Sequence, residues 1–521
     1  MKDKKLVSWT AVEKEKQLYF QRNSKKRFLT GVGRFLLAFV LLAGFIFLFG
    51  LMWVQKYFSD VTLDIMIMQI RMPLQGTGGG MILKFILQVL LPSVGCIFVL
   101  ILAGFFIRRR KKALFIGKKA VFPNRILSLI LAFVFTGITF WQAATELELS
   151  KYLANRNTTS DFIEKNYIYP KSENLTFPKQ KRNLIYIYLE SMESTFLTAD
   201  QGGQMSQDLM PDLFEIARNN ITFSDKDKIG GAVPLSGMGV TSAGMVAQTA
   251  GLPLFLQDGW DGGQAREVFI PNAITLGDIL AENGYAQYLM VGSNSKFGAR
   301  DQYYKTHGDA VILDLFTARE SGVIAKDYDN KFWGMEDEYL YEYAKQELNE
   351  IAKDNKPFCF SMLTVDTHFP DGYICNLCKN EYEDQYSNVL ACASRQVGNF
   401  LEWLEQQDFY KNTTVIISGD HLSMNADYYK RNNIDVMQRR VYNVFINTAG
   451  VTPVQTKNRM FASIDMFPST LAALGVEIKG NRLGLGTNLF SDKPTLLEMY
   501  EYNFMNDELL KKSDFYNKTF N

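Results

Sequence analysis

Two apolar segments far apart in the sequence each end in side chains that can bind a metal ion. The first, Asn183–Leu189, is a run of β-branched and aromatic residues of strand length, and Glu190 follows it directly. The second, Thr413–Gly419, leads into Asp420-His421. Either run alone is more simply interpreted as a strand followed by a polar loop. Because ligands gather beyond the carboxyl ends of parallel strands, the two together predict one shared divalent-metal site.

A glycine-rich loop, residues 230–244, supplies a hydroxyl group that could act as a nucleophile. The loop is predicted to enter a helix at about Val240, which places Thr241 in the first turn. A helix N-terminus favours an anion, phosphate above all. A hydroxyl held there by a divalent cation loses its proton easily and can attack phosphorus. An N-cap is the ordinary role of such a residue, but the predicted metal ligands make Thr241 a candidate nucleophile.

The chain has only three histidines, His307, His368 and His421. His368 follows a predicted strand, in Thr364-Val365-Asp366-Thr367-His368, and its ordinary pKa near neutrality would let it orient or protonate a reacting oxygen. A hydrogen-bonded or helix-end role is the alternative for each histidine. It suits His421 least, since an adjacent Asp-His pair at a strand end commonly binds divalent ions.

The first third of the chain contains three apolar runs, each close to the ~20 residues that cross a bilayer. They are residues 35–54, 85–107 and 126–144. A cleaved signal peptide is the alternative for the first run, which is too long and lacks a small-residue cleavage site. Three transmembrane helices are therefore predicted.

Flanking charges predict the orientation of these spans. Residues 1–27 contain nine Lys or Arg, and the second connection opens with the basic run 108–112. By the positive-inside rule both segments are cytoplasmic, and the chain after Ala144 is outside. Basic clusters can also bind nucleic acid, but their position beside membrane spans favours topology as the cause, and no nucleic-acid partner is expected. The net charge of +1 is thus a cancellation between a basic membrane edge and a more acidic exported part.

Strand-like and helical segments alternate from Asn183 onward, which is typical of an α/β fold with a sheet covered by helices. The expected organisation is a membrane domain over residues 1–144, an extracellular stalk over 145–182 and a catalytic domain over 183–521. The loop 55–80 is too apolar for a free loop and too short to span, which favours an interfacial segment. Predicted strands comprise residues 184–189, 221–223, 286–291, 358–365, 414–418 and 441–446.

Four cysteines lie in the exported part. Cys375-x-x-Cys378 could be half of a zinc site, but no second pair of suitable spacing exists. In an oxidising exterior a local disulfide is at least as plausible, with Cys392 competing for a partner.

These motifs resemble the alkaline phosphatase/sulfatase superfamily, in particular its membrane-bound phosphoglycerol transferases of the lipoteichoic acid synthase type. The early Pro73-Leu74-Gln75-Gly76 and the segment 243–254 look closer to the osmoregulated-glucan branch. The fold implied is an extracellular sulfatase-like mixed sheet covered by helices. The resemblance rests on residues 183–193, 240–254, 297–308, 366–373 and 418–421.

The resemblance also implies roles for individual residues. Glu190, Thr241, Asp420 and His421 match the family's single metal site, with Thr241 also the nucleophile and Mn²⁺ expected before Mg²⁺ or Zn²⁺. His368 and Arg300 match substrate-contacting positions. His307 and Asp301 fall in the same region as Arg300 and are expected to position the residues that contact the substrate.

The implied reaction is transfer of glycerophosphate from phosphatidylglycerol to an extracytoplasmic glycan or polyglycerophosphate, through a Thr-linked intermediate, at a bacterial cell membrane. No Cys/Ser-x-Pro-x-Arg sequence of the sulfatase type surrounds Thr241. A phosphoethanolamine transferase or another phosphodiester-cleaving enzyme of this fold remains an alternative. So does a catalytically silent membrane protein that binds glycerophosphate polymers, although the complete predicted ligand set favours an enzyme.

Overall fold

The computed structural model describes residues 9–58, 63–71, 79–109, 114–116, 119–121, 125–255, 268–330 and 332–520. Two compact units divide the chain. One combines Met1–Gln55 with Gly80–Leu147, and the other combines Lys56–Gly79 with Glu148–Asn521. The second unit therefore contains the predicted stalk from residue 148 and also the loop between the first two predicted spans.

Apolar helices dominate the beginning of the chain. They are α1 Trp9–Tyr57, α2 Leu63–Arg71, α3 Gly79–Phe85, α4 Leu91–Arg109 and α5 Arg125–Glu146. A π-helical turn, Ile86–Leu90, joins α3 to α4, and a hairpin of β1 (Leu114–Ile116) and β2 (Lys119–Val121) precedes α5. Three segments are long and apolar enough to cross a membrane: Val32–Tyr57, Gly80–Ala103 and Ser128–Glu146. The prediction of three N-terminal membrane helices is confirmed.

Small side chains bring α1 and α5 together within the first unit. The Thr136 hydroxyl donates a hydrogen bond to the Val40 carbonyl oxygen at 2.7 Å, and the rings of Phe45 and Phe135 lie 5.0 Å apart. A Cβ at Gly44 would lie 2.7 Å from the Phe135 ring. Helices in a membrane associate through such close contacts at small residues, because lipid provides no hydrophobic driving force between them.

A six-stranded mixed sheet forms the centre of the second unit, in the order β6-β5-β7-β4-β8-β9. In this order the strands from β6 to β8 are parallel to one another, and the edge strand β9 is antiparallel to β8. Every residue of β4 and β8 is buried, as expected of central parallel strands covered on both faces. Four shorter strands lie outside this sheet. In chain order the strands of the unit are β3 Leu175–Thr176, β4 Asn183–Leu189, β5 Ala286–Val291, β6 Val311–Leu313, β7 Phe358–Leu363, β8 Thr413–Gly419, β9 Asn443–Ile446, β10 Glu477–Ile478, β11 Arg482–Leu483 and β12 Gly486–Thr487.

Helices accompany the sheet along the rest of the chain, so the α/β class is confirmed. They are α6 Leu149–Asn157, α7 Phe162–Asn166, α8 Pro211–Asn219, α9 Thr241–Ala250, α10 Leu276–Glu282, α11 Arg300–Thr306, α12 Leu315–Glu320, α13 Asp337–Ile351, α14 Gln385–Glu405, α15 Ala426–Arg431, α16 Met466–Ala473, α17 Leu496–Met499, α18 Tyr502–Leu510 and α19 Asp514–Phe520. The predicted strand 221–223 was wrong. In this segment only Ile221 pairs with another strand, through an isolated bridge to Phe445, and one bridge does not make a strand.

The register of β4 and β8 brings the two predicted site segments to the same level. Leu189 is paired with Gly419 in the parallel ladder. The next residue on each strand is Glu190 or Asp420, and both strands run in the same direction. The sheet alone therefore places these two carboxylates side by side at its carboxyl edge.

Residues between 148 and 182 pack on the C-terminal helices of their unit. Phe162 contacts Tyr500 with ring centroids 5.2 Å apart, and Tyr167 contacts Phe520 at 5.0 Å. Ser160 donates a backbone hydrogen bond to the Lys512 carbonyl oxygen. Aromatic contacts and a backbone hydrogen bond thus attach this segment to the C-terminal helices of its unit.

Candidate active site

Four side chains converge beyond the carboxyl ends of β4 and β8. The Thr241 hydroxyl oxygen lies 3.4 Å from Glu190 Oε2 and 3.4 Å from His421 Nε2. His421 Nε2 is also 3.4 Å from Asp420 Oδ2 and 3.7 Å from Glu190 Oε1. One ligand atom from each of Glu190, Asp420 and His421 lies within 4.8 Å of the others. The structure therefore brings together all four residues predicted to form the metal site.

Backbone strain after β4 helps to hold this geometry. Ser191 is fully buried and adopts φ 57°, which is uncommon for a residue other than glycine. In this conformation its N–H donates to Asp420 Oδ1 at 2.8 Å, and its hydroxyl donates to Glu190 Oε1 at 2.6 Å. One strained residue thereby fixes the carboxylates of two neighbouring strands.

Helix α9 carries the hydroxyl group to the carboxylates. It begins at Thr241, and its N-cap Val240 has no side chain that could bond the first N–H groups. A Cβ at Gly244 would lie 2.0 Å from the Asp420 carbonyl oxygen, so only glycine permits this approach to the end of β8. Gln248 then donates to the Gly419 carbonyl oxygen at 2.9 Å and ties the helix to the strand.

Burial and neighbouring charges shift the pKa values of two residues in the cluster, Asp420 and His421. Burial, and then the neighbouring Glu190, raise the pKa of the Asp420 carboxyl to about 7. Burial acts to lower the pKa of His421, but Asp420 and Glu190 outweigh it and the pKa is raised. The negative charge of neighbouring carboxylates contributes to both upward pKa shifts.

The cluster has the donors that a divalent cation requires. Among the described residues no hydrogen-bond partner exists for Asp420 Oδ2, which is buried beside His421. Burying a carboxylate oxygen without a hydrogen-bond donor is unfavourable in free energy unless a nearby cation balances its charge. Two carboxylates, an imidazole and a hydroxyl suit a hard or borderline ion, and the residues therefore fit a metal ion.

His368 lies on the loop after β7 and is held by aromatic rings. Its ring centroid is 4.2 Å from that of Trp333, and Nδ1 is 2.8 Å from the Phe369 carbonyl oxygen. Burial lowers its pKa to about 4, with smaller contributions that include repulsion from His421. The pKa of His368 is therefore below the near-neutral value of an unperturbed histidine. At neutral pH the ring is uncharged, Nδ1 donates its proton to the carbonyl, and Nε2 is an acceptor.

Arg300 is close enough to the cluster for Glu190 and Asp420 to raise its pKa, although burial lowers it more, to about 10. Its guanidinium already donates to the carbonyl oxygens of Phe297 and Asn294 and to the Ser293 hydroxyl. These hydrogen bonds hold the guanidinium in place, so that Arg300 provides a fixed positive charge near Glu190 and Asp420.

The structure does not bring His307 and Asp301 to the four-residue cluster by any hydrogen bond among the described residues. His307 contacts Asp278 at 2.8 Å and the Phe269 carbonyl oxygen at 3.0 Å. Asp301 accepts a hydrogen bond from the Gln302 backbone in the first turn of α11.

A buried ion pair that the sequence did not reveal supports the segment after His421. Arg439 donates to both oxygens of Glu193, at 2.7 and 2.9 Å, and both side chains are at most 1% exposed. Glu193 also accepts the N–H of Ser423 at 3.0 Å and the Tyr429 hydroxyl at 2.7 Å. The only signal in the sequence is a second acid three residues after Glu190, whereas its partner lies more than two hundred residues away.

A cavity of about 1130 Å³ lies beside the cluster and includes His421 in its wall. Ile65 and Ile67 of α2 contribute to its apolar lining, together with Met238 and Leu254. The loop predicted to be interfacial thus forms part of a cavity wall within the second unit.

The sulfatase family matches residues 182–476, more than half of the chain. The chain belongs to the sulfatase family. The predicted superfamily is therefore confirmed. Enzymes of this family bind a metal ion, and Glu190, Asp420 and His421 form a group that could hold one in this member.

Sequence comparison relates this sulfatase-family chain to phosphoglycerol transferase I of two Escherichia species. The chain is 30% identical to the Escherichia fergusonii protein over 455 residues, which cover 84% of this chain and 54% of that protein. It is 30% identical to the protein of Escherichia coli O127:H6 over 425 residues, covering 80% and 51%. The chain spans about half the length of these curated relatives. The predicted resemblance to membrane phosphoglycerol transferases is confirmed.

Solved structures of similar fold include the lipoteichoic acid synthase LtaP from Listeria monocytogenes. It has a TM-score of 0.48 and 18% sequence identity, and the match covers 64% of this chain and 82% of that one.

Proposed function

We propose that this protein transfers glycerophosphate from phosphatidylglycerol to an extracytoplasmic glycan or polyglycerophosphate acceptor. The observation that carries the proposal is the Thr241 hydroxyl, which lies 3.4 Å from both Glu190 and His421 at the start of α9. The name of the similar Escherichia proteins, phosphoglycerol transferase I, supports glycerophosphate as the transferred group.

In the first step the Thr241 oxygen attacks the phosphorus of the lipid headgroup. The bond between phosphorus and the diacylglycerol oxygen breaks, the Thr241 proton ends on that oxygen, and glycerophosphate stays attached to Thr241. The free N–H groups of the first turn of α9 favour the phosphate anion at this position. A divalent cation held by Glu190, Thr241, Asp420 and His421, for which we propose Mn²⁺, would lower the pKa of the hydroxyl and offset charge on the phosphate oxygens.

In the second step an acceptor hydroxyl displaces Thr241 from phosphorus. We assign His368 to this step, because its uncharged ring offers Nε2 as a proton acceptor while Nδ1 is held by the Phe369 carbonyl. The acceptor proton passes through Nε2 to the Thr241 oxygen, which restores the hydroxyl. Arg300 contributes a positive charge from behind that favours the anionic phosphate throughout.

The cavity beside the cluster suits a donor with an apolar part. Its wall combines His421 with the α2 side chains Ile65 and Ile67, so a headgroup at Thr241 would have apolar surface next to its glycerol backbone. Because the chain has three candidate membrane spans, we propose that the donor is a lipid of the same membrane. We also propose that this unit lies outside the cytoplasm, as the distribution of Lys and Arg predicts.

The test is to incubate the purified full chain in detergent with phosphatidylglycerol and Mn²⁺. Diacylglycerol and glycerophosphate products are then measured by mass spectrometry. Thr241→Ala should abolish diacylglycerol release, and Thr241→Ser, which keeps a hydroxyl, should retain part of it. Thr158→Ala is a matched control, because the exposed Thr158 hydroxyl donates only to the Ala154 carbonyl oxygen within its own helical turn.

Equal diacylglycerol release by Thr241→Ala and the parent would exclude the covalent mechanism. Replacing the donor by phosphatidylethanolamine tests the neighbouring activity. Faster diacylglycerol release from that lipid would identify a phosphoethanolamine transferase instead.

A further inference from the structure

Three cysteines from two separate segments meet away from the four-residue cluster. Cys375 and Cys378 lie on the loop between β7 and α14, and Cys392 lies within α14. The Cys375 sulfur is 3.5 Å from that of Cys378 and 3.7 Å from that of Cys392. All three sulfur atoms lie within 4.8 Å of one another. Cys375 and Cys392 are buried, whereas Cys378 is partly exposed.

These separations match thiolates around a tetrahedral zinc ion. A Zn–S bond of about 2.3 Å and tetrahedral angles require sulfur atoms about 3.8 Å apart. A disulfide joins only two cysteines and would leave the third thiol of this cluster without a role. A metal ion accounts for all three.

The surroundings of the cluster are acidic. Asp366 is 2% exposed, and among the described residues its Oδ1 has no hydrogen-bond partner. Cys375 is close enough to Asp366 and to Asp337 to interact with both carboxyls. Arg395 is the cation that acts on Cys392. Thiolates beside buried carboxyls require additional positive charge, which a divalent cation supplies.

We propose that Cys375, Cys378 and Cys392 form a second metal site that binds Zn²⁺ through three thiolates. Zinc is preferred because sulfur ligands are soft and the spacing is tetrahedral. The ion would fasten the middle of the loop to α14. Hydrogen bonds already join the loop to α14 on either side of the two cysteines. Gln385 donates to the Gly372 carbonyl oxygen, and Asn388 accepts the N–H of Tyr382.

The site has a structural consequence for the loop that begins after β7. This loop carries His368 and Phe369 ahead of the two cysteines. An ion bound to both the loop and α14 would restrict the movement of the loop. The site is independent of the proposed transferase reaction, since it shares no ligand with the four-residue cluster.

Cobalt distinguishes the two sites, because only thiolate ligands give intense sulfur-to-cobalt charge-transfer absorption in the near ultraviolet. The full chain in detergent is reduced, freed of metal with a chelator and titrated with Co²⁺. The parent should develop this absorption to an end point of about one equivalent, and added Zn²⁺ should remove it. Asp420→Asn, which affects only the other site, should develop the same absorption.

Cys378→Ser and Cys392→Ser should lose most of the absorption. Cys96→Ala is the matched control, because it removes a thiol outside the cluster, and it should retain the signal. Absence of the absorption from the reduced parent overturns the proposal. It is also overturned if protein purified without reductant contains no zinc and mass spectrometry finds Cys375 in a disulfide with Cys378 or Cys392.

Discussion

Replacing Asp420 by asparagine should have opposite effects on stability with and without metal. Asp420 Oδ1 accepts the N–H groups of Ser191 and His421, at 2.8 and 2.7 Å. An asparagine Oδ1 can accept the same two hydrogen bonds. The change is then confined to Oδ2, a fully buried oxygen that an uncharged amide nitrogen replaces.

The expected magnitude follows from the pKa of the carboxyl. Its value of about 7, compared with an ordinary 3.8, corresponds to a free energy on the order of 4 kcal/mol. Since the folded pKa is above the unfolded one, the stabilising contribution is fully present below 3.8 and is lost as the pH rises through 7. Without metal, asparagine avoids this loss. The stability advantage of Asp420→Asn should therefore increase by roughly 2 to 3 kcal/mol between about pH 5 and about pH 8.

Metal should reverse the order of the two proteins. A divalent ion at about 1,000 times its dissociation constant stabilises the parent by about 4.1 kcal/mol, which exceeds the roughly 2 to 3 kcal/mol that the variant gains on raising the pH. The variant should gain little, because an amide nitrogen faces the ion in place of a carboxylate oxygen. Thermal unfolding of the full chain, followed by circular dichroism, is measured with a chelator and with Mn²⁺ at each pH. The reasoning fails if the variant is the less stable protein in chelator at high pH, or if Mn²⁺ raises both unfolding temperatures equally.

Three further predictions test the surrounding groups. Arg439→Met should destabilise the second unit by about 3 to 5 kcal/mol in denaturant unfolding, because it leaves the Glu193 carboxylate buried without its cation; a change within experimental error would contradict this. With its pKa lowered to about 4, His368 should produce no break in the pH–rate profile near 6.5, and a break there that disappears in His368→Gln would show that the ring titrates normally. In single-cysteine variants of intact cells, a membrane-impermeant thiol reagent should label Ser172→Cys and not Ala113→Cys, and the reverse pattern would invert the proposed orientation.

The sheet was predictable wherever a strand is buried on both faces. β4 and β8 appear in the sequence as continuous apolar runs, because helices cover both faces of a parallel sheet and no position needs to be polar. The three-residue edge strand β6 has no such signature, and its first residue, Val311, is exposed. Ile221 was misassigned for the opposite reason, since β-branched and aromatic residues also occur in loops that pack on a core.

The candidate metal ligands could be predicted because each follows a recognisable element. Their fine positions could not, since these depend on contacts distant in sequence. The φ of Ser191 and the ion pair of Glu193 with Arg439 are properties of the assembled sheet edge. The low pKa of His368 likewise comes from burial against Trp333, a residue on a different loop.

The packing of the loop between the first two spans bears on topology without reference to charge. Phe58 contacts Phe369 with ring centroids 5.0 Å apart, and a Cβ at Gly239 would lie 3.8 Å from Ile65 Cδ1. The loop therefore has to be on the same side of the membrane as the rest of its unit. With three spans, the segment after the first and the segment after the third are on the same side, whichever side that is. Two or four spans before Glu148 would separate them and break these contacts. The aromatic and aliphatic contacts of the loop thus support the same number of spans as the apolar helices do, by an independent physical route.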